Sequence, residues 1–169
     1  MTITKNNINF FIFITILFSF ILKIIYILIS DYYHDALFVG ADAYGLYLSH
    51  LNYSSGEKII SLDSPLSFYM FILGKFYFLT FQNYTWAAFF SVLIWFVSYL
   101  ILFRSMKLLH FSYPNILFAT IIYAYLPSIS LITSTTLREV WQLLLINFIL
   151  YLFIKSFITK KINYFNIIL

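Results

Sequence analysis

There is no cysteine in these 169 residues, and only 9% of them are charged, six carboxylates against ten Lys and Arg. Without thiols the chain holds no disulfide, no thiolate nucleophile and no Cys-ligated zinc or iron–sulfur cluster. The poverty of charge excludes a water-soluble globule, in which about a quarter of residues are charged. Walker, GxGxxG, HExxH and GxSxG motifs and nucleic-acid modules are absent as well, which removes the enzyme classes whose chemistry those motifs carry.

What remains is apolar. Hydrophobic residues make up 63% of the chain and aromatic residues 23%, with a mean hydropathy of +0.93. Runs of about 20 such residues cross a hydrocarbon core of about 30 Å as helices, whose backbone polar groups pair internally. The runs are continuous rather than alternating, so helices and not a barrel are expected. The net charge of +4 is no nucleic-acid signal, because the basic residues lie between the hydrophobic segments and report topology. The expected fold class is an all-α polytopic helix bundle forming one transmembrane domain over residues 1–169.

The first run, 10–29, has no small-residue cleavage site behind it and reads as an uncleaved span. Lys23 lies in it, long enough to snorkel to the interface or to turn into the bundle. Five of the six carboxylates then fall between Asp31 and Asp63. Within that stretch Asp42 reads as the N-cap of a short amphipathic helix over about 43–53, and Asp63-Ser64-Pro65 starts another over 65–82. Further spans are expected at 86–103, 115–133 and 137–154, the second of these kinked at Pro127. The tail 162–169 is apolar again, suggesting a further span and an N-terminal portion of a longer protein.

Segment 65–82 decides the topology. It is long enough to span, yet Gly74 and Lys75 sit at its middle, and a thin polar stripe of Ser67, Gly74, Lys75 and Gln82 runs along one side. Crossing puts Lys75 near the bilayer centre at a cost of roughly 2.5 to 3.5 kcal/mol. The preferred reading has four spans and an inside N-terminus, with Lys5, Arg104, Lys107, Lys155, Lys160 and Lys161 on the cytoplasmic side. All six carboxylates then face the outer compartment, and residues 31–82 form an outer loop with two juxtamembrane helices. The alternative has five spans and the opposite orientation.

This order of elements is similar to the N-terminal module of the C-type (GT-C) glycosyltransferases, polytopic enzymes that use polyprenyl-phosphate-linked sugars and include protein O-mannosyltransferases and lipid A aminoarabinose transferases. Gly40-Ala41-Asp42-Ala43-Tyr44 through Leu51 resembles the Asp-bearing juxtamembrane helix of the family's first outer loop. Asp63-Ser64-Pro65-Leu66-Ser67-Phe68-Tyr69 resembles its second, interfacial helix. Tyr123-Ala124-Tyr125-Leu126-Pro127-Ser128-Ile129-Ser130, followed by Ser134 to Glu139, resembles its kinked span and the polar turn after it. The resemblance implies a lipid-linked sugar donor, membrane lipids as surroundings, no nucleic-acid partner, and further spans or a second subunit. These enzymes are normally much longer, which is the main departure.

Glycosyl transfer from a lipid phosphate needs a base for the acceptor hydroxyl and positive charge or N–H groups for the departing phosphate. Asp42 is the candidate base, since the resemblance puts the family's catalytic Asp there; a plain N-cap accounts for it equally well. Asp35, His34 and Asp42 form a mixed set able to hold Mg or Mn if the loop folds back, against the simpler reading of solvated loop side chains. His50 lies two helical turns beyond Asp42 and shares its face, or is an ordinary interfacial histidine. Arg138 is the candidate phosphate ligand in the first turn of the last span; the competing account is a capping box of Thr136 and Glu139 with Arg138 as an anchor. Lys75 reaches for phosphate from the other side, or snorkels.

The expected function is therefore sugar transfer at the outer face of the inner (plasma) membrane for cell-envelope glycan or glycoconjugate synthesis. A polysaccharide polymerase or ligase of the same chemistry is one alternative. A transporter or channel fragment, in which Lys23, Lys75 and Arg138 line a path between spans, is another. The two classes differ in where charge sits, inside the bundle for transport and at the outer surface for transfer.

Overall fold

The computed structural model describes residues 5–33, 74–75, 79, 83–129, 134 and 139–159, and these are helical apart from turns and links, with no strand among them. Four helices are complete enough to bound among the described residues: α1 (Lys5–Tyr33), α2 (Tyr84–Leu108), α3 (Tyr113–Tyr125) and α4 (Glu139–Thr159). Three of them contain apolar stretches long enough to cross a membrane, Ile8–Ile29, Tyr84–Leu108 and Glu139–Ile158. Their outward faces are apolar too: Phe10, Phe13 and Phe18 on α1 and Leu145, Ile146, Phe153 and Phe157 on α4 are all exposed. A bundle greasy on both its inner and outer faces is soluble in lipid, not in water. The chain is a helical membrane protein.

Local chemistry sets the helix ends. Asn83 is extended (φ −126°, ψ 136°) and its side-chain oxygen accepts from the Thr85 amide at 2.8 Å, an N-cap worth about 0.5 to 2 kcal/mol. At the other end of α2 the chain turns on His110, whose φ of 55° is left-handed. The His110 amide donates to the Lys107 carbonyl and the Phe111 amide to the Met106 carbonyl, both at 3.1 Å, so the last turn closes as a Schellman motif. Residues 109–112 then suffice to reverse the chain into α3, which opens with Pro114 in its first turn.

The third expected span, 115–133, is interrupted. The α3 helix ends at Tyr125, and Leu126 leaves helical space with ψ 120° before helical backbone resumes at 127–129. Leu126 precedes Pro127, whose ring disfavours helical ψ in the residue before it, and this places the break. Of the helix expected over 65–82, the described residues Gly74, Lys75 and Leu79 are helical. The first juxtamembrane helix, the capping residue Thr136 and the apolar tail lie outside the described residues.

Side-chain contacts give the directions. Phe20 meets both Phe89 and Phe96 with ring centroids 6.3 Å apart, while Asn9 lines a groove with Lys107, so α1 and α2 run antiparallel. Ser98 pairs with Tyr123 and Tyr99 with Thr120, making α2 and α3 antiparallel. Phe90 meets Trp141 and Ser98 meets Asn147, so α4 runs parallel to α2. The α2 helix is central: its broadest packing is with α4, and α1 packs against both α3 and α2. Ser91, Ser98 and Ser105 recur every seven residues on its buried side, together with Ala87 and Ala88. Small residues in such a stripe let helix backbones approach closely in lipid.

The two ends of the bundle differ in charge. The start of α1 and the ends of α2 and α4 share one end, which carries Arg104, Lys107 and Lys155. The end of α1 and the starts of α2 and α4 share the other, which carries Asp31 and Glu139.

Candidate functional site

Helical spacing alone puts something from α1 into the core, and at mid-bundle that residue is Lys23. It is 1% exposed, with its ammonium 4.6 Å from the centre of the Trp95 ring on α2. Of the two outcomes open to it, snorkelling or turning inward, it turns inward. Helical side chains lean toward the N-terminus of their own helix, and from position 23 that direction leads away from the nearer end of α1. A lysine at this depth costs roughly 2.5 to 3.5 kcal/mol on insertion scales. A desolvated cation over an indole returns about 2 kcal/mol of that.

Trp95 is itself fully buried and stacks on Tyr123 of α3, centroids 6.0 Å apart and planes 15° off parallel. The Tyr123 hydroxyl donates to Ser98 Oγ at 3.0 Å. Asn147 of α4 donates through Nδ2 to the same Ser98 Oγ at 2.8 Å, and lies 3.5 Å from the Tyr123 oxygen. One turn on, Tyr99 meets Thr120 Oγ1 at 3.1 Å; Thr120 spends its own proton on the Ile116 carbonyl at 2.7 Å, so the tyrosine is the donor. Ser19 of α1 donates to the Ala124 carbonyl at 2.9 Å. Three helices are thus tied through one polar centre, and Lys23 brings in the fourth. The Trp95 indole N–H finds no acceptor among the described residues. In lipid such groups need partners, and most here have them.

Lys75, the second candidate cation, is helical and exposed. Asp42, Asp35, His34, His50 and Arg138 lie outside the described residues, so the His34, Asp35 and Asp42 set is not tested as a metal site. Among the described residues no three His, Asp or Glu side chains come together. Glu139, the residue after Arg138, opens α4 at the carboxylate end of the bundle.

No protein family, curated protein or solved structure matches the chain.

Among the described residues, two recesses open on the outside of the bundle. The larger, about 550 Å³, is a groove between α1 and α2 lined by Ile12, Phe13, Ile16 and Leu17 on one side and Phe96, Leu100 and Phe103 on the other, with Asn9 and Lys107 at one end. The smaller, about 540 Å³, lies next to it along α2 and holds Leu100, Phe103, Arg104 and Lys107. Lys107 also rests its ammonium 4.5 Å from the Phe103 ring.

Sequence reasoning missed Trp95, Ser98, Tyr123 and Asn147. Asn147 was detectable as the one amide inside the apolar run 143–154, and Ser98 as the middle of the seven-residue serine repeat. Nothing in the sequence singled out Trp95 from the other aromatic residues.

Proposed function

We propose that this chain forms part of a membrane glycosyltransferase that moves a sugar from a polyprenyl-phosphate donor to an acceptor at the outer face of the plasma membrane. The observation that carries this reading is the antiparallel relation of α1 and α2. Had 65–82 crossed the membrane, the two helices would run parallel. Antiparallel helices support a loop 34–82 that leaves and returns at the same end of the bundle, as an interfacial loop of this enzyme class does. That end is also where α4 begins, directly after Arg138. In this reading the segments carrying Asp42 and Arg138 attach at that same end, and the cations Arg104, Lys107 and Lys155 at the opposite end favour a cytoplasmic position for that end.

In this reading the interrupted α3, broken before Pro127, completes four passes together with the residues that follow it. Asp42 takes the proton of the acceptor hydroxyl, and Arg138, with Lys75, holds the departing phosphate. The test is sugar transfer from a labelled polyprenyl-phosphate donor in membranes containing the chain. Asp42→Asn is expected to reduce transfer at least a hundredfold, in the range of lost general-base catalysis, at unchanged membrane abundance. Retained turnover removes Asp42 from the mechanism.

A second reading, a transport subunit, is favoured by one observation: Lys23 lies inside the bundle. The two readings part on Lys23→Met, which leaves sugar transfer intact under the first and stops solute flux in vesicles under the second.

A further inference from the structure

The groove between α1 and α2 has a depth and a charge pattern that a plain lipid-facing surface lacks. Along α1 it extends from Asn9 to Phe20, a rise of about 16 Å at 1.5 Å per residue. Half of a hydrocarbon core of about 30 Å is nearly the same length. By that length the groove runs about one leaflet's depth from the cationic end of the bundle, and Phe20, packed on Phe89 and Phe96, is its farthest lining residue on α1. Its walls are aliphatic and aromatic side chains, the Tyr99 ring among them, and its charged lining residue, Lys107, stands at the mouth with Asn9.

At the mouth stand Lys107 and Arg104, the second on the adjoining recess that shares Lys107, Leu100 and Phe103 with the groove. Both are exposed. The described acidic positions, Asp31 and Glu139, belong to the other end of the bundle. Two cations one helical turn apart, above an apolar slot one leaflet deep, complement a phosphate joined to a hydrocarbon chain. We propose that this groove is a binding site for an anionic glycerophospholipid, with one acyl chain laid between α1 and α2 and the phosphate held by Arg104 and Lys107. A guanidinium gives a forked contact to phosphate oxygens and an ammonium a point charge beside it. An acyl chain matches one leaflet, whereas a polyprenyl chain greatly exceeds it. The site lies at the end opposite the loop carrying Asp42 and stands whether the chain transfers sugar or conducts solute.

The experiment is native mass spectrometry of the full chain, delipidated in detergent and titrated with phosphatidylglycerol or phosphatidylcholine of matched acyl chains. The wild type is expected to retain one phosphatidylglycerol at a concentration roughly tenfold below that needed for phosphatidylcholine, as two cations near an anionic headgroup imply. Arg104→Gln with Lys107→Gln abolishes that preference. Leu100→Trp, which fills the slot and leaves both cations in place, lowers retention of both lipids. Lys155→Gln, at the same end but outside the groove, leaves the preference unchanged. Equal retention of the two lipids by the wild type overturns the proposal. So does a Lys155→Gln effect as large as that of the double variant, which reduces the result to net charge. Displacement of phosphatidylglycerol by equimolar polyprenyl phosphate overturns the choice of occupant.

Discussion

A lysine kept from water by an aromatic ring raises the question of which of the two holds the other in place. The Lys23 ammonium costs the bundle free energy at mid-membrane, and the Trp95 face recovers part of it. A lysine near a helix centre costs roughly 2.5 to 3.5 kcal/mol on insertion scales, and the indole face returns about 2 kcal/mol of it, so the two nearly cancel. Lys23→Met sheds the cost of the charge together with its contact to the ring, and is expected to differ from the wild type by less than about 2 kcal/mol in thermal or steric-trap unfolding in detergent. Trp95→Ala removes a fully buried ring together with its stack on Tyr123, and is expected to cost about 3 to 5 kcal/mol. A stability loss above 2 kcal/mol in Lys23→Met makes that lysine a structural tie. If stability is kept, the retained lysine is left for function to explain. The inward turn of Lys23 was not legible in the sequence, because a helix apolar on every side gives no periodicity from which to choose the buried face.

At the scale of elements, the relation of α1 to α2 carries the topology. In a chain without native cysteine, paired cysteines report it directly. Cysteines at 20 and 96, and at 9 and 107, are expected to cross-link within the bilayer, while the pair 9 and 89 does not. The reverse pattern means parallel helices and a crossing by 65–82. The apolar runs in the sequence located α1, α2 and α4 to within a few residues at the described ends, since length and continuity suffice for a span. Pro127 likewise marked the interruption of α3, because its effect on Leu126 is local and steric. Helix pairing was not legible. In lipid all apolar faces are equally at home, and choice of partner passes to a few polar atoms such as Asn147 Nδ2 on Ser98 Oγ. As for the proposed site, Asp42 and Arg138 were named from the sequence alone and lie outside the described residues; the described helices supply only the shared end of the bundle at which α1 ends and α2 and α4 begin.

The whole molecule is sided. Arg104, Lys107 and Lys155 gather at one end, and Asp31 and Glu139 at the other. In inside-out vesicles, single cysteines at 107 and 155 are expected to react with a membrane-impermeant maleimide, and cysteines at 83 and 139 only after the membrane is opened. Labelling of 107 and 139 from the same side is incompatible with the α2 and α4 directions described above. Opposite sidedness of all four sites reverses the orientation and moves the loop 34–82 to the cytoplasm.

The seat of Lys23 on Trp95 also has a consequence in time. The chain is made from its N-terminus, so α1 reaches the bilayer before the ring that will receive its ammonium has been synthesised. The helix must enter on its own resources. Each Leu, Ile, Phe or Val near a helix centre favours insertion by about 0.3 to 0.6 kcal/mol, so a handful offsets the lysine, and Ile8–Ile29 has many more than a handful. The surplus of greasy residues on α1 lets a charged helix wait in the membrane for a partner that arrives only after residues 34–94 have been made.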